Sequence, residues 1–532
     1  MKKQSVVIIL AAGCMVLFGT CTGPKGDKSK KYYVSPSGND DHPGTERQPF
    51  RSVERVNRMD LGPGDVVCFE GGRIFRGTLV LDSLDSGDNT RPVKISSYGQ
   101  GGAVLDGGNG PALRLEGCSY LTVQNLECRG DGRKDGNTDD GIHISGGKFI
   151  SIEDLEVSGF RKSGIRIHAC DHVRLTRVFS HDNGFAGICV TGTTGDDPVN
   201  YDNHDLYLGY CVAENNPGDP AELNGRSGNG ILVSSVAKGL LEYCTAANNG
   251  GDSQWLQGPG SEGLAVSDSR EIILQHCISH DNHTIPGGHD GGGFVFDGGT
   301  SNSIIQYCIS YRNDGAGYGL FEHGAAKPWG NNIIRYNISR DDGLVNHYAC
   351  VGIWKIEDLG VMSNCEVYNN TFYNSNPDGS ALWIWEDYPG FNFRNNVFLY
   401  EGPFIWESRK LKTVKFLGNC YWNLEGNPGI QGYPGLEEWA RATGNEMMDG
   451  MLAGVSADPM LEDPGTLSVT VPERIDGESL SPCRPKPGSP LIDRGIDLRE
   501  VIGVGQEFLD IVGTRVPQGT AFDIGALEYV NK

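Results

Sequence analysis

The stretch Gly291–Gly324, GGGFVFDGGTSNSIIQYCISYRNDGAGYGLFEHG, decides the fold because it says one phrase twice. A glycine, a short apolar run and an acid occur from Gly293 to Asp297 and again from Gly317 to Glu322. Working outward, the phrase returns as GIHIS at Gly141, GIRIH at Gly164, GICVT at Gly187, GILVS at Gly230 and GLAVS at Gly263. It continues through GFVFD at Gly293, GYGLFE at Gly317 and GIWKIE at Gly352, and more loosely as ALWIWE at Ala381 and PFIWE at Pro403. Successive starts differ by 23, 23, 43, 33, 30, 24, 35, 29 and 22 residues, so the unit is 22 to 24 residues and the excess is inserted loop.

Each unit holds a second apolar strand, and several close on an asparagine: Asn183, Asn216, Asn249, Asn282 and Asn313. No unit contains about ten residues of 3.6 periodicity, which excludes helical repeats. Short period-2 strands with a polar turn at one register predict an all-β parallel solenoid, each coil burying its apolar face on the next. The phrase glycines, Gly141 to Gly352, are then expected in one line along the solenoid. Cys211, Cys244, Cys277 and Cys308, separated by 33, 33 and 31 residues in like contexts, are expected in another. Their spacing is not that of a zinc site. SHDN at Ser180 and Ser279 reads as structural, since three adjacent residues on a strand and turn point different ways.

The bulk composition agrees. The chain has 532 residues with 77 Gly and 26 Pro, too many for a helical protein, and a formal net charge of −23. That charge argues against a nucleic-acid or anionic-membrane binder, which needs a concentrated basic face.

The first residues, MKKQSVVIILAAGCMVLFGTCTGPKGDKSKK, pair Lys2 and Lys3 with an apolar run too short for a membrane span. They resemble a bacterial lipoprotein signal peptide, which implies lipidation of Cys21, with Cys14 the second choice, and attachment to the cell envelope by the lipid alone. Beyond Cys21 there are 13 cysteines, an odd number, so at least one is expected to be unpaired or bonded to something else.

The opening YYVSPSGNDDHPGTERQPFRSVERVN with LGPGDVVCFEGG, and the closing KPGSPLIDRGIDL with FDIGALEY, resemble the right-handed parallel β-helix proteins of the pectate-lyase superfamily. The resemblance spans Tyr32 to Val530 and implies a carbohydrate substrate. The expected division is 1–31 signal and linker, 32–110 N-terminal cap and first coils, 111–425 β-helix with inserted loops, and 426–532 C-terminal cap region. FRSVERVNRMD from Phe50 and LEEWARATG from Leu436 read as short capping helices.

The position after the apolar triplet is small or polar at Ser145, His168, Thr191, Ser234 and Ser267. It turns acidic at Asp297, with Glu322, Glu357, Glu386 and Glu407 at or within one residue of it. Rungs lie about 4.8 Å apart, so such a column would set carboxylates against one another and raise at least one pKa. Aromatics crowd the same rungs at Phe294, Tyr318, Trp354, Trp383, Trp385 and Trp406, either as core ladders or as platforms for sugar rings. Loops at Trp255, at NHTIPGGHDGG and at Trp329 are positioned to wall a cleft.

Glycoside hydrolysis needs two carboxyls, about 5 Å apart for retention and roughly 6.5 to 9.5 Å for inversion. Asp297, Glu322 and Glu357 are the candidate catalytic residues for a hydrolase, with Tyr318, His323, Trp354, Lys355, Trp385 and Glu386 as substrate contacts. A polysaccharide lyase is the competing reading. The stretch resembles the calcium-dependent pectate lyases, which implies Asp290 and Asp314 as calcium ligands, but Asp297 stands where such enzymes carry their lysine base, leaving Lys355 as the nearby candidate. A non-catalytic glycan-binding solenoid is the third reading. No other cofactor is expected. If the lipoprotein reading holds, Cys21→Ala in a Cys14→Ala background moves the folded protein out of the membrane fraction; continued membrane association overturns it.

Overall fold

The computed structural model describes residues 29–193, 195–356, 359–407, 411–499 and 508–531, so Cys21 and Glu357 lie outside the described residues. The repeated phrase is the front wall of a parallel β-helix. A 12-stranded parallel sheet starts at Leu79–Leu81 and Leu113–Glu116 and runs on through Ile142–Ser145, Ser163–His168 and Ala186–Thr191. It continues with Asn229–Ser234, Glu262–Ser267, Gly292–Phe296, Tyr318–Glu322, Ala349–Lys355 and Ser380–Ile384, and ends at Ile405–Glu407. The other two walls join into a 25-stranded sheet, because an early strand such as Ser119–Gly130 bends through the corner and pairs with both walls of the preceding rung.

Alternation sets the faces. Leu113, Ile142, Ile165, Ile188, Ile231, Leu264, Phe294, Tyr318, Val351, Leu382 and Ile405 stack in register and fill the core. The intervening Arg114, His143, Arg166, Cys189, Leu232, Ala265 and Val295 point to the outer face.

The asparagines are the buried corner of each rung. Asn183, Asn216, Asn249 and Asn282 each donate their side-chain N–H to the amide oxygen of the next, at 3.0, 3.0, 2.9 and 2.8 Å, ending on Asn313. This ladder explains the phrase glycines. A methyl group on Gly164, Gly230 or Gly263 would lie 2.8, 3.0 or 2.6 Å from a ladder amide nitrogen. Gly352 does not join their line. Tyr318 pairs with Val351, so Gly352 pairs with Gly319 and faces outward beneath Trp383. The run ACVGIWK is apolar at nearly every position, so alternation by itself could not place its register.

The cysteines form the second line. Cys211, Cys244, Cys277 and Cys308 are buried free thiols whose Sγ–H groups donate to backbone carbonyls two residues back. The column then changes chemistry without changing place. Cys308 N–H donates to Asn337, and Asn337, Asn370, Asn396 and Asn419 continue as an amide ladder. All 13 cysteines among the described residues are free and buried, so no disulfide supports this fold. The residues before the cysteines, Tyr210, Tyr243, His276 and Tyr307, take the left-handed corner at φ 50° to 57° and stack at 5.0 to 5.1 Å.

The two capping helices are present. Val53–Val56 is capped by Ser52, whose Oγ accepts the Arg55 N–H, and it buries Val53 and Val56 against Phe50. Leu436–Thr443 sets Trp439 on Phe404, Phe416 and Tyr421 to close the far end. The remaining chain then runs back along the flank instead of stopping at the end. Asn369 donates to the carbonyls of Asp523 and Gly525, Asn395 to that of Ile496, and Arg340 to that of Gly465.

Both ladders terminate on a carboxyl. Asn313 donates to Asp342 at 2.8 Å, and Asn419 to Glu446 at 2.7 Å. Burial pushes each carboxyl up to about 7, against the hydrogen bonds it accepts. A folded pKa above the unfolded one means stability that is full below about pH 4 and lost as pH rises through about 7. For Asp342 the loss is on the order of 4 kcal/mol, about three pKa units at 1.36 kcal/mol each. Asp342→Asn keeps the ladder and removes the titration. Denaturant unfolding is therefore expected to show a gain over the native chain that opens between pH 4 and 7. A gain independent of pH would overturn this.

Candidate active site

Loops flank the outer face of the front sheet at both ends of its strands. The loops on one side, 131–140, 217–228 and 250–261, are tied together by charge. Asp252 binds both Arg133, at 2.5 Å, and Lys134, at 2.8 Å, Arg133 also donates to the Gly218 carbonyl at 2.5 Å, and Asp219 binds Arg161 on the adjoining turn at 2.7 Å. The cavity by Tyr400, Tyr421, Trp422 and Asn427, about 100 Å³, lies near the closed end and contains none of the candidate acids.

The acids do not form one column. Asp297 follows Phe296 and so stands in line with Ser267 on one side and Phe321 on the other. Glu322 is one residue further on; it pairs with Lys355, whose Nζ lies 2.9 Å from Glu386 Oε1. Glu407 pairs with Ile384. A one-residue offset in a strand moves a side chain to the other face, so the expected ladder of like charges resolves into Asp297 on one line and an alternating Glu322, Lys355, Glu386 line beside it.

Glu322 is 1% exposed. Its Oε1 accepts the N–H groups of Gly324 and Ala325 at 2.6 and 2.8 Å, and Oε2 accepts that of Gly299 at 3.1 Å. It therefore touches the turn that leaves Asp297. Asp297 is half-buried, and Oδ1 accepts Gly298 N–H at 2.8 Å.

Two further acids flank the GLAVS phrase, Glu262 and Asp268, and sequence reading missed both because it looked at a single position per unit. Glu262 Oε2 accepts Gly292 N–H at 2.9 Å, and burial, reinforced by Asp290 and Asp297, pushes its carboxyl well above the usual range. Burial also raises Asp290, whose oxygens accept Gly260 N–H at 2.7 Å and the Tyr348 hydroxyl at 3.1 Å, and Asp297 raises it further. Asp268 is raised by burial and by Asp297 and Glu322, with Lys327 and His323 pulling the other way, and its buried Oδ1 has no hydrogen-bond partner. Asp297 is thus the carboxylate that acts on all three.

The remaining candidates divide. Tyr318 is removed from the substrate set: it is fully buried in the core, stacked on Phe294 at 5.6 Å, and its hydroxyl donates to the carbonyls of Cys308 and Ile338. Trp329 is likewise buried, stacked on Phe391, and does not wall a cleft. Trp354, Trp383 and Trp385 are partly exposed, His323 is exposed, and Trp406 is 36% exposed and stacked on His347. The Trp383 indole N–H is buried without a partner.

Calcium does not fit the acids here. Asp314 Oδ2 accepts Thr284 N–H at 2.9 Å and contacts His283 at 3.4 Å, while Asp290 is held by Gly260 and Tyr348. Among the described residues, three ligand groups converge within 4.8 Å at Asp171, His172 and Asp205, where Lys238 already neutralises Asp205 at 2.7 Å.

Two family models match the chain, a Pel9A-like right-handed β-helix region over residues 32–196 and a right-handed β-helix region over residues 202–398. The chain is a right-handed parallel β-helix protein. The uncharacterized protein YwoF of Bacillus subtilis (strain 168) is 28% identical over 142 residues, which span 24% of this chain and 29% of that relative. Similar backbones include the GH136 lacto-N-biosidase of Eubacterium ramulus, 19% identical over 73% of this chain and 67% of that one, with a TM-score of 0.46. Pectate lyase Pel9A is 17% identical over 94% and 97%, also with a TM-score of 0.46. These likenesses concern the fold.

Glu322→Ala strips a buried acceptor from three amides and is expected to cost about 1 to 3 kcal/mol in denaturant unfolding. Glu322→Gln can leave its carbonyl oxygen on Gly324 and Ala325 and should cost less. Equal, negligible effects would show that the carboxylate does not order these turns.

Proposed function

We propose that the protein is a carbohydrate-active enzyme and, within that class, a glycoside hydrolase centred on Asp297 and Glu322. The observation that carries this reading is the position of Asp297. It is accessible, it acts electrostatically on Glu262, Asp290 and Asp268, and Glu322 hydrogen-bonds the turn directly after it. Neighbouring acids that disfavour a second charge suit a reaction in which one carboxyl attacks or activates water while another supplies a proton. Asp297 takes the first role, the acids whose carboxyls it raises, Glu262, Asp290 and Asp268, are the candidates for the second, and Glu322 positions the turn that leaves Asp297. Trp354, Trp385 and Trp406 supply faces for sugar rings on the later rungs.

The lyase reading is weaker on two counts. Lys355 is paired with Glu386 and set beside Glu322, so it is not placed as a free base, and the acids do not converge on a cation. Attachment through Cys21 would present this face to envelope or external glycans.

The test is turnover of a panel of neutral and uronate-containing glycans by the soluble chain. Release of reducing ends without the ultraviolet absorbance of an unsaturated product is expected. Asp297→Asn and Glu322→Gln should each lower the rate by on the order of a hundredfold or more, with Asp297→Asn leaving the melting temperature nearly unchanged. An unsaturated product would establish the lyase, and undiminished rates in both variants would remove these acids from the chemistry.

A further inference from the structure

The first amide ladder ends on an acid, and that acid stands at the base of a loop. At earlier rungs the ladder nitrogen lies beside the phrase glycine: a methyl group on Gly164, Gly263 or Gly293 would meet Asn183, Asn282 or Asn313 Nδ2 at 2.8, 2.6 or 2.9 Å. On Gly317 it would meet Asp342 Oδ2 in the same place. Asp342 Oδ1 keeps the acceptor role, taking the Asn313 side-chain N–H at 2.8 Å and its backbone N–H at 3.0 Å. Oδ2 thus replaces a donor, 2.6 Å from Ser339 Oγ, and shares with the Cys350 carbonyl oxygen the spot that Gly317 leaves open. A neutral carboxyl supplies a donor there through its own O–H, whereas an ionised one only accepts. The ionisable groups facing it are Tyr311 on the preceding corner, Tyr318 on the front strand and Cys350 on the next front strand; burial raises all three, and the Asp342 charge raises them further. On its own corner Arg340 is turned to the Gly465 carbonyl at 3.1 Å and to Asp341 at 3.6 Å.

The loop 343–348 leaves directly from Asp342, and its two ends touch, Gly343 packing on the Tyr348 carbonyl. Its base rests on the segment that follows the ladder residue Asn313. Gly343 N–H donates to the Gly315 carbonyl at 2.8 Å, Leu344 N–H to that of Asn313 at 3.2 Å, and Val345 N–H to that of Asp314 at 3.0 Å. The rest of the loop reaches across the candidate site. Asn346 Nδ2 donates to the Gly288 carbonyl at 2.7 Å, and the Tyr348 hydroxyl donates to Asp290 at 3.1 Å. The His347 ring stacks on Trp406 at 5.3 Å, with 8° between the planes. Asn346 and His347 both take the left-handed region, at φ 59° and 60°, which costs a residue with a side chain and persists only where the surroundings hold it. Leu344 and Val345 are exposed, so apolar burial does little of the holding. The loop is kept in place by its polar base and by three contacts at the site, and the base depends on the bond between Asn313 and Asp342.

We propose that Asp342 and the loop 343–348 form a proton-controlled clamp: a neutral carboxyl fixes the loop across Asp290 and Trp406, and ionisation loosens its base and opens the site. Burial pushes this carboxyl up to about 7. A folded pKa above the unfolded one means that the hold is full below about pH 4 and is lost as pH rises through about 7. The inference concerns the loop that borders the site and holds whatever reaction takes place there.

The experiment is hydrogen exchange of the full chain read by mass spectrometry at about pH 6 and about pH 8, each rate corrected for the intrinsic pH dependence of amide exchange. The opened loop gives Asp342 an ordinary carboxylate pKa, so this step across the native value should lower the protection of the amides of 343–348 on the order of tenfold. Amides of the rung at 165–178 should keep theirs. Asp342→Asn, which restores a permanent donor, should hold the loop equally at both pH values. Ser339→Ala removes a hydrogen bond that favours the ionised form, so it should move the midpoint of the loss to higher pH; it serves if Asp342→Asn fails to fold. Loop protection that does not change with pH, a loss that survives in Asp342→Asn, a midpoint unmoved by Ser339→Ala, or an equal loss at 165–178 overturns the clamp. The readout needs no substrate, so failure to cleave any glycan would count against the hydrolase and leave the clamp standing.

Discussion

The amide ladder is the constraint on which everything else depends. A rung of a β-helix turns a sharp corner inside the protein, where a polar group without a partner costs on the order of 1 to 3 kcal/mol. Here each corner asparagine donates its side-chain N–H to the amide oxygen of the next rung's asparagine, one strand spacing away, and also to a backbone carbonyl of the preceding rung. A rung that slipped by one residue would leave its own amide and its neighbour's unpaired, and would drive a phrase side chain into the corner that glycine leaves open. Register is therefore enforced at every coil by polar chemistry, and the apolar stacks inside follow from it.

That rigidity frees the outer face. Because the ladder holds each rung independently of loop length, the chain tolerates insertions of widely different size between an asparagine and the next glycine phrase. Those insertions stitch to one another through Arg133, Lys134 and Asp252 and through Arg133 and the Gly218 carbonyl, to make a wall beside the front sheet.

Along that surface the chemistry changes with the axis. Cations at Arg114 and Arg166 give way to carboxylates at Glu262 and Asp297, and these to indoles at Trp354, Trp383 and Trp406. Like groups on neighbouring rungs are only a strand spacing apart, and the column of Glu322, Lys355 and Glu386 neutralises itself by alternating sign.

The repeat, the parallel solenoid, the cysteine line, the asparagine line and both capping helices were legible in the residues alone, because each arises from local periodicity recurring at one spacing. The change from a small residue to an acid at Asp297 was legible too. What local pattern could not decide was which of two adjacent positions belongs to a column: Glu322 and Glu386 read as members of the Asp297 line, and Gly352 as a member of the glycine line, until pairing with Lys355 and Gly319 placed them elsewhere. Tyr318 reads the same whether it faces a sugar or the core, and only stacking on Phe294 tells. Glu262 and Asp268 gain their meaning from groups tens of residues away. Period-2 sequence determines that a strand has two faces; which face each end of it presents depends on the neighbouring rungs, and only the tertiary structure contains them.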